Sequence, residues 1–146
     1  MSGSPIPPIA AVMTPLPLSI ALDARVVEAR ELMAEHDIRH LPVTEDGRLV
    51  GVISQRDIAL ALDPELDLPF HEELWVATVC SHDAYLVEPD APLDGVVAEL
   101  ARRRIGSALV ARRGLLLGIL TATDACRLLA DALNGRALGP PEELAG

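Results

Sequence analysis

Residues 47–57 read Gly-Arg-Leu-Val-Gly-Val-Ile-Ser-Gln-Arg-Asp, and residues 114–124 read Gly-Leu-Leu-Leu-Gly-Ile-Leu-Thr-Ala-Thr-Asp. In both stretches an aliphatic run lies between a glycine and a hydroxyl residue, and an aspartate follows three residues later. A shift of 67 residues superimposes Val12–Leu62 on Val79–Leu129 without a gap, and eleven positions are then identical. Composition alone predicts about four identities, so the chain contains an internal repeat.

Each repeat has the pattern strand, helix, strand, strand, helix. An aspartate before the first helix, Asp23 or Asp90, is a plausible helix cap, and apolar residues at helical spacing follow it. Asp46-Gly47 and Arg113-Gly114 are placed to close β-hairpins, and Ser54 or Thr121 begins the second helix. The predicted strands are Leu18–Leu22, Leu41–Thr44 and Leu49–Ile53 in the first repeat, and Tyr85–Val87, Ala108–Ala111 and Leu115–Leu120 in the second.

Composition limits the functional classes. Half of the 146 residues are apolar, and no apolar run is long enough to span a membrane. A net charge of −10 argues against nucleic-acid binding, which needs a clustered basic surface. Cys80 and Cys126 are interpreted as reduced core thiols, and the histidines lack metal-ligand spacing, so no metal site is expected. The predicted location is the cytoplasm.

The repeat resembles the CBS (cystathionine-β-synthase) motif. The resemblance rests on Met13-Thr14-Pro15, residues 36–43 (His-Asp-Ile-Arg-His-Leu-Pro-Val) and residues 47–57, with residues 104–110 and 114–124 matching in the second copy. It implies an α+β (α/β) fold of two βαββα motifs packed as a pseudo-twofold CBS pair, or Bateman module. The expected boundaries are 8–66 and 74–133, with 134–146 as a frayed tail and the chain as a stand-alone bacterial protein.

The resemblance also implies adenine-nucleotide binding in clefts between the two motifs. A hydroxyl at a strand-to-helix turn suits phosphate, and the aspartate one turn later suits ribose hydroxyls. The alternative is simple helix capping without a ligand. The favoured cleft comprises Thr121, Thr123 and Asp124 with Met13, Leu18, Ile38, Arg39, His40 and Pro42. The second comprises Ser54, Arg56 and Asp57 with Cys80, Tyr85, Ile105, Gly106 and Ser107.

Arg39 and His40 make the first cleft the stronger candidate, because the second has only Arg56 as a positive charge and has Leu109 where the family usually has proline. The predicted function is therefore a regulatory module that senses AMP, ADP or ATP, without a prosthetic group and without catalytic activity. Binding of S-adenosylmethionine or NADH, and a ligand-free module that docks a regulated enzyme or transporter, remain alternatives.

Two structural expectations accompany this reading. The near-continuous apolar strands predict that Val43, Val52, Ile53, Val110, Ile119 and Leu120 are buried. Val27, Leu60, Val97 and Leu128 lie outside the core-facing stripes and are expected to be exposed. Covering such apolar residues predicts a symmetric homodimer.

Overall fold

A computed structural model describes residues 5–15, 17–63 and 74–141. The predicted order of elements is confirmed in both repeats, and equivalent helices and strands of the two repeats keep the 67-residue offset. The elements are a 3₁₀ turn Ile9–Ala11, β1 Thr14–Pro15, β2 Ile20–Ala21, α1 Val26–His36, β3 His40–Glu45, β4 Arg48–Ser54, α2 Gln55–Ala61, α3 Val76–Val79, β5 Leu86–Val87, α4 Leu93–Arg103, β6 Ser107–Arg112, β7 Leu115–Thr121 and α5 Ala122–Leu133.

The chain forms two compact units, and each contains a segment from outside its own repeat. The first-repeat unit comprises the described residues between Leu18 and Ala84. The second-repeat unit comprises those up to Pro17 together with those from Tyr85 onward. The segment leading into each repeat, called its leader here (residues 5–15 and 74–83), therefore belongs to the unit of the other repeat.

The first-repeat unit is built on a sheet with strand order β2-β3-β4. Strand β2 is parallel to β3, and β3 is antiparallel to β4. The leader joins the free side of β4, because Val52 and Ser81 exchange backbone hydrogen bonds of 3.0 and 2.8 Å. Arg25 and Trp75 form a second bridge at the start of α1.

The second-repeat unit has strand order β1-β7-β6-β5. Here the leader contains a full strand, β1, whose Thr14 pairs with Ile119 of β7. Pro8 and Pro92 form a bridge that corresponds to Trp75 and Arg25 in the other unit. Both leader contacts therefore recur with the 67-residue offset.

Both hairpins close through two residues with positive φ. Asp46 and Gly47 have φ of 51° and 80°, and Arg113 and Gly114 have φ of 54° and 81°. Positive φ at both central positions is the requirement of a type I′ turn, which suits the twist of paired strands. The predicted hairpin turns are confirmed.

Each unit has its own aliphatic core, to which the leader contributes. Ile9, Val12 and Met13 pack with the second repeat, and Val76 and Cys80 pack with the first. Of the residues predicted to be buried, Val52 is only half-buried, because strand alternation turns it away from the face that buries Ile53. The other five are buried as predicted: Val43, Ile53, Val110, Ile119 and Leu120.

The predicted helix caps at Asp23 and Asp90 are wrong. Both aspartates lie in turns, closed by hydrogen bonds from Ala24 N to Ala21 O and from Ala91 N to Glu88 O. Helix α1 instead begins after Arg25, whose backbone N–H donates to the Glu28 carboxylate at 2.7 Å. Helix α4 begins after Pro92.

Expectations about the exposure of several side chains also need correction. Leu128 is buried and Leu129 is the exposed residue of that pair, while Cys126 is exposed instead of buried. In the described part of the tail, Arg127 donates to Gly139 O and Leu138 packs against the core. Val27 and Val97 are half-buried, and only Leu60 is exposed as expected. In the described ranges, no helix is long and apolar enough to cross a membrane.

Candidate ligand-binding site

The two hydroxyl–aspartate pairs form the same structure in both units. Thr121 N donates to Asp124 Oδ2 at 2.9 Å, and Asp124 N donates to Thr121 Oγ1 at 3.1 Å. Ser54 and Asp57 form the equivalent reciprocal pair, with both distances 3.0 Å. Each is a capping box that satisfies two backbone donors at the start of a helix. Capping is therefore a role of both motifs.

Capping leaves both side chains with hydrogen-bonding capacity. A hydroxyl that accepts from a backbone N–H still has its own proton to donate. An ionised carboxylate has about four acceptor sites, and the cap uses one of them. Asp57 and Asp124 are half-buried in the structure, so part of each side chain faces solvent. Capping and ligand contact are compatible.

In the first-repeat unit, strand pairing brings the base-rich segment beside Ser54. His40 is the register partner of Ser54, and Gln55 N donates to Arg39 O at 2.8 Å. Arg39 is exposed, and Ile38 and His40 are half-buried. The first-repeat unit therefore contains the Ser54 hydroxyl, the Asp57 carboxylate and Arg39. The sequence analysis grouped Arg39 with Thr121 instead.

The second-repeat unit has the same arrangement, but Gly106 occupies the position that is equivalent to Arg39. Ser107 pairs with Thr121 across the β6–β7 ladder, and Ala122 N donates to Gly106 O at 2.9 Å. Ser107 is buried, and Ile105 and Gly106 are half-buried. Leu109 N donates to Tyr85 O at 2.9 Å, a bond that Pro42 cannot make at the same place in the first repeat.

A sulfur-containing side chain from the leader covers a glycine in each unit. Met13 contacts Gly118 of β7, and Cys80 lies near Gly51 of β4, where the carbonyl of Ser81 also approaches closely. Met13 and Cys80 are each 8% exposed. Burial, more than the nearby charge of Asp57, raises the pKa of the Cys80 thiol, so the thiol is protonated at neutral pH.

His82 lies beside this thiol. Its Nε2 is 3.6 Å from Cys80 Sγ and 3.2 Å from the carbonyl oxygen of Ala77. The corresponding residue of the other leader is Pro15, so this pair exists in one unit only. Among residues 5–15, 17–63 and 74–141, no three His, Cys, Asp or Glu side chains are grouped to hold a metal ion.

Tyr85 has a cationic neighbour that the sequence did not indicate. The guanidinium of Arg103 lies 4.7 Å from the centre of the Tyr85 ring. Arg102 and then Arg103 donate to Glu99, and these hydrogen bonds lower the pKa of Glu99 to about 2. Arg103 therefore covers one ring face of Tyr85 and is itself held by Glu99.

The structure divides each predicted residue set between the two units. Met13, Thr121, Thr123 and Asp124 lie in the second-repeat unit, whereas Leu18, Ile38, Arg39, His40 and Pro42 lie in the first. Ser54, Arg56, Asp57 and Cys80 lie in the first-repeat unit, whereas Tyr85, Ile105, Gly106 and Ser107 lie in the second. Thr123 and Arg56 are exposed, Leu18 and Tyr85 are half-buried, and Pro42 is fully buried.

Sequence reasoning missed Gly51, Gly118, Ser81 and His82 at this site. Gly51 and Gly118 occupy a position that is identical in the two repeats, and this identity was the signal in the sequence that could have identified them. Ser81 and His82 follow Cys80 directly, but nothing in their own sequence indicates that they approach β4.

Comparison with known proteins agrees with the repeated fold. The CBS domain family model matches twice, at residues 9–64 and 76–131. The chain belongs to the CBS domain family. It contains two CBS domains in tandem, and the family's repeat matches the two internal copies.

Solved CBS structures have the same fold. A putative acetoin utilization protein from Vibrio cholerae is 26% identical, with a TM-score of 0.79 over 88% of this chain and 94% of that chain. The CBS domain pair of protein MJ0100, in complex with 5′-methylthioadenosine and S-adenosyl-L-methionine, is 25% identical with a TM-score of 0.78, covering 88% and 99%. CBSX2 in complex with AMP is 28% identical with a TM-score of 0.75, covering 89% and 99%.

Curated relatives are much longer proteins. L-aspartate semialdehyde sulfurtransferase of Methanocaldococcus jannaschii is 27% identical over 127 residues, which is 86% of this chain and 24% of that protein. Inosine-5′-monophosphate dehydrogenase of Korarchaeum cryptofilum is 31% identical over 108 residues, or 73% and 21%. The chain thus spans about a quarter of the length of these relatives. CBS pairs of this kind are regulatory ligand-binding modules.

Proposed function

We propose that this CBS pair binds an adenine nucleotide, AMP, ADP or ATP, and regulates another protein in response. The observation that carries the proposal is the reciprocal pair formed by Thr121 and Asp124 at the start of α5. This helix has 12 residues; the N–H groups of Ala122 and Asp124 in its first turn already have acceptors, and the Thr121 hydroxyl still has its own proton to donate. A phosphate at the hydroxyl and a ribose at the carboxylate match the chemistry of both groups.

The proposed ligand class is supported by what related structures contain. AMP, 5′-methylthioadenosine and S-adenosyl-L-methionine share an adenosine moiety, and each is bound by a CBS pair that is structurally similar to this one. AMP alone of the three has a phosphate. Arg39, exposed and adjacent to Ser54 through the hydrogen bond from Gln55, supplies a positive charge that favours a phosphate-containing ligand.

The proposed regulated target is an enzyme. Several of the curated relatives, including the sulfurtransferase and the dehydrogenase described above, are named as enzymes, and the matched part is about a quarter of each of these two. We assign no reaction to the CBS pair itself, and its hydroxyl–aspartate pairs act in the proposal as ligand-binding groups only. A transporter is the alternative target.

Calorimetry of the purified protein tests the ligand. AMP, ADP and ATP are titrated beside S-adenosylmethionine, 5′-methylthioadenosine and NADH, with GMP as the control that differs in the base. We expect saturable binding of at least one adenine nucleotide and weaker binding of GMP. A dissociation constant of about 1 mM corresponds to a binding free energy of roughly −4 kcal/mol. If no adenosine compound binds at that concentration, the ligand-free interaction module is supported instead.

A further inference from the structure

The tail after α5 turns back and packs along the helix that it follows. Gly135 makes the reversal with a φ of 71°, a left-handed backbone conformation that suits glycine. Arg136 N then donates to Asp131 O at 2.8 Å, and the Arg136 guanidinium lies 3.8 Å from the Asp131 carboxylate. Leu138 packs against the core of the second-repeat unit. Residues 135–141 are called the docked tail here.

The docked tail also holds the side chain of Arg127. The two terminal nitrogens of its guanidinium donate to Gly139 O at 3.4 and 3.5 Å, and one of them lies 3.4 Å from the Asp131 carboxylate. The third nitrogen, Nε, is buried and has no hydrogen-bond partner among the residues that the structure describes. A buried donor without a partner is costly, so the docked tail holds Arg127 in a place that satisfies it incompletely.

Arg127 lies near the Thr121–Asp124 motif on the surface of α5. It follows Asp124 by three residues, which places both side chains on one face of the helix. Side chains of a helix point toward its N-terminus, so an undocked Arg127 extends toward the turn that contains Asp124. At the position equivalent to Arg39 this motif has Gly106, which brings no charge. Arg127 is therefore placed to supply a positive charge there.

The equivalent helix of the first repeat forms without this arginine. Leu60 is the counterpart of Arg127, and it is 57% exposed in α2. In that repeat, Arg39 lies beside Ser54 through the hydrogen bond from Gln55. Both hydroxyl–aspartate motifs thus have an arginine nearby, but in the second repeat the tail binds its guanidinium.

We propose that the docked tail is an autoinhibitory strap that withholds Arg127 from a phosphate at the Thr121–Asp124 motif. The proposal rests on the adenine-nucleotide binding proposed above. When the tail leaves, Arg127 loses its bonds to Gly139 and keeps only Asp131, a partly exposed i,i+4 pair that competes weakly with a phosphate dianion. Because linkage is reciprocal, a nucleotide that recruits Arg127 also loosens the tail.

Trypsin cleavage after Arg136 tests this coupling in the unmodified protein. Arg136 belongs to the docked tail, so the following peptide bond is cut faster when the tail is released. We expect AMP to accelerate this cut about fivefold or more, the lower end of typical coupling between two sites. Adenosine, which lacks the phosphate, should leave the rate unchanged. Cleavage after Arg113, at the tip of the second hairpin, is the internal control and should not respond to either compound.

Calorimetry of variants tests the role of Arg127. All titrations use the Arg39→Ala background, which weakens phosphate binding at the Ser54 motif. Leu138→Asp should release the tail and raise the affinity for AMP about tenfold, the contribution of one charge-assisted bond, without changing that for adenosine. Adding Arg127→Gln should cancel the gain. Gly135→Val is a second way to release the tail that spares the core, because valine disfavours a positive φ and nothing lies within 4 Å of the added Cβ.

Three results would overturn the proposal. They are an affinity for AMP that tail release does not raise, a gain that survives Arg127→Gln, and a cut after Arg136 that saturating AMP does not accelerate. Each of these results is obtained with AMP bound, so the proposed function stands. Absence of AMP binding in the unmodified protein would instead refute the proposed function, and the strap with it.

Discussion

The backbone N–H of Gln55 donates a hydrogen bond to the carbonyl oxygen of Arg39 at 2.8 Å. This bond joins the first residue of α2 to the residue that precedes β3. It places Arg39 beside Ser54 within one compact unit, whereas the pairing inferred from the family resemblance combined Arg39 with Thr121. The two pairings make different predictions for binding.

Arg39→Ala should weaken AMP binding about tenfold or more, because a charge-assisted bond to phosphate contributes roughly 1.5–3 kcal/mol. Calorimetry of the double mutants then identifies its partner. We expect a coupling of about 0.5–3 kcal/mol with Ser54→Ala and additive effects with Thr121→Ala. Ser54→Ala and Thr121→Ala each remove a helix N-cap, so each variant is a control for the loss of stability in the other. The reverse pattern would support the pairing inferred from the resemblance.

Asp124→Ala should reduce both binding and stability. Removing its hydrogen bond to Thr121 N costs about 1 kcal/mol of unfolding free energy, as for other helix caps. Loss of the ribose contact should weaken binding at the Thr121–Asp124 motif, which is separate from the Ser54 motif beside Arg39, about tenfold or more. Glu28→Ala is the matched control, because it also removes a carboxylate bonded to a helix-start N–H. Urea unfolding should show similar losses for the two variants. If Glu28→Ala also weakened nucleotide binding, the weaker binding of Asp124→Ala would result from its lower stability and not from a lost ribose contact.

The equivalent glycines Gly51 and Gly118 should tolerate alanine unequally. A methyl group at Gly51 meets the backbone carbonyl of Ser81, which is held in its pairing with Val52. At Gly118 it meets the flexible side chain of Met13. We expect Gly51→Ala to cost up to about 3 kcal/mol and Gly118→Ala about 1 kcal/mol. Chemical denaturation checks this, and equal losses would mean that Met13 cannot move aside.

A fragment of residues 18–84 should fold on its own, whereas residues 1–66 should not. The first fragment contains β2, β3, β4 and the leader that supplies Val76 and Cys80 to its core. The second contains nearly the whole first repeat but leaves the core without that leader and exposes Ile9 and Val12. Circular dichroism with a cooperative thermal transition distinguishes the two. A folded 1–66 monomer would show that the exchanged leader is dispensable.

Thiol labelling should separate the two cysteines. The pKa of Cys80 lies above its ordinary value of 9.0 and its side chain is buried, so little thiolate is available at pH 8. Cys126 is exposed. We expect one fast and one slow reaction with a chromogenic disulfide reagent, at least tenfold apart, with the fast one lost in Cys126→Ser. The slow reaction should accelerate as the pH rises toward the pKa of Cys80.

Local patterns predicted the elements of each repeat well. Near-continuous apolar runs and the Asp46-Gly47 turn define the hairpin through contacts between neighbours in sequence, and Ser54 and Thr121 cap helices through residues three positions away. Both kinds of interaction join residues that are only a few positions apart in the sequence. Asp23 and Asp90 were misplaced because a turn closes first and the helix starts two or three residues later.

Long-range pairing was not predictable in the same way. Nothing in the sequence of Trp75–Ser81 specifies that it completes the sheet of the first repeat, because the pairing depends on backbone groups that every residue has. The burial of Leu128 in α5 was also missed. Leu128 and Leu129 are adjacent leucines, and only the packed helix shows which of them the core accepts.

The exchange of leaders bears on how the chain arose. A single ancestral repeat, consisting of a leader followed by its own strands and helices, would have lacked the segment that fills its own core. Two such chains could have completed each other by lending leaders reciprocally. Gene duplication and fusion would then keep each leader in the core that it already filled. The Pro8–Pro92 and Arg25–Trp75 bridges occupy equivalent places in the two units, as such an origin requires.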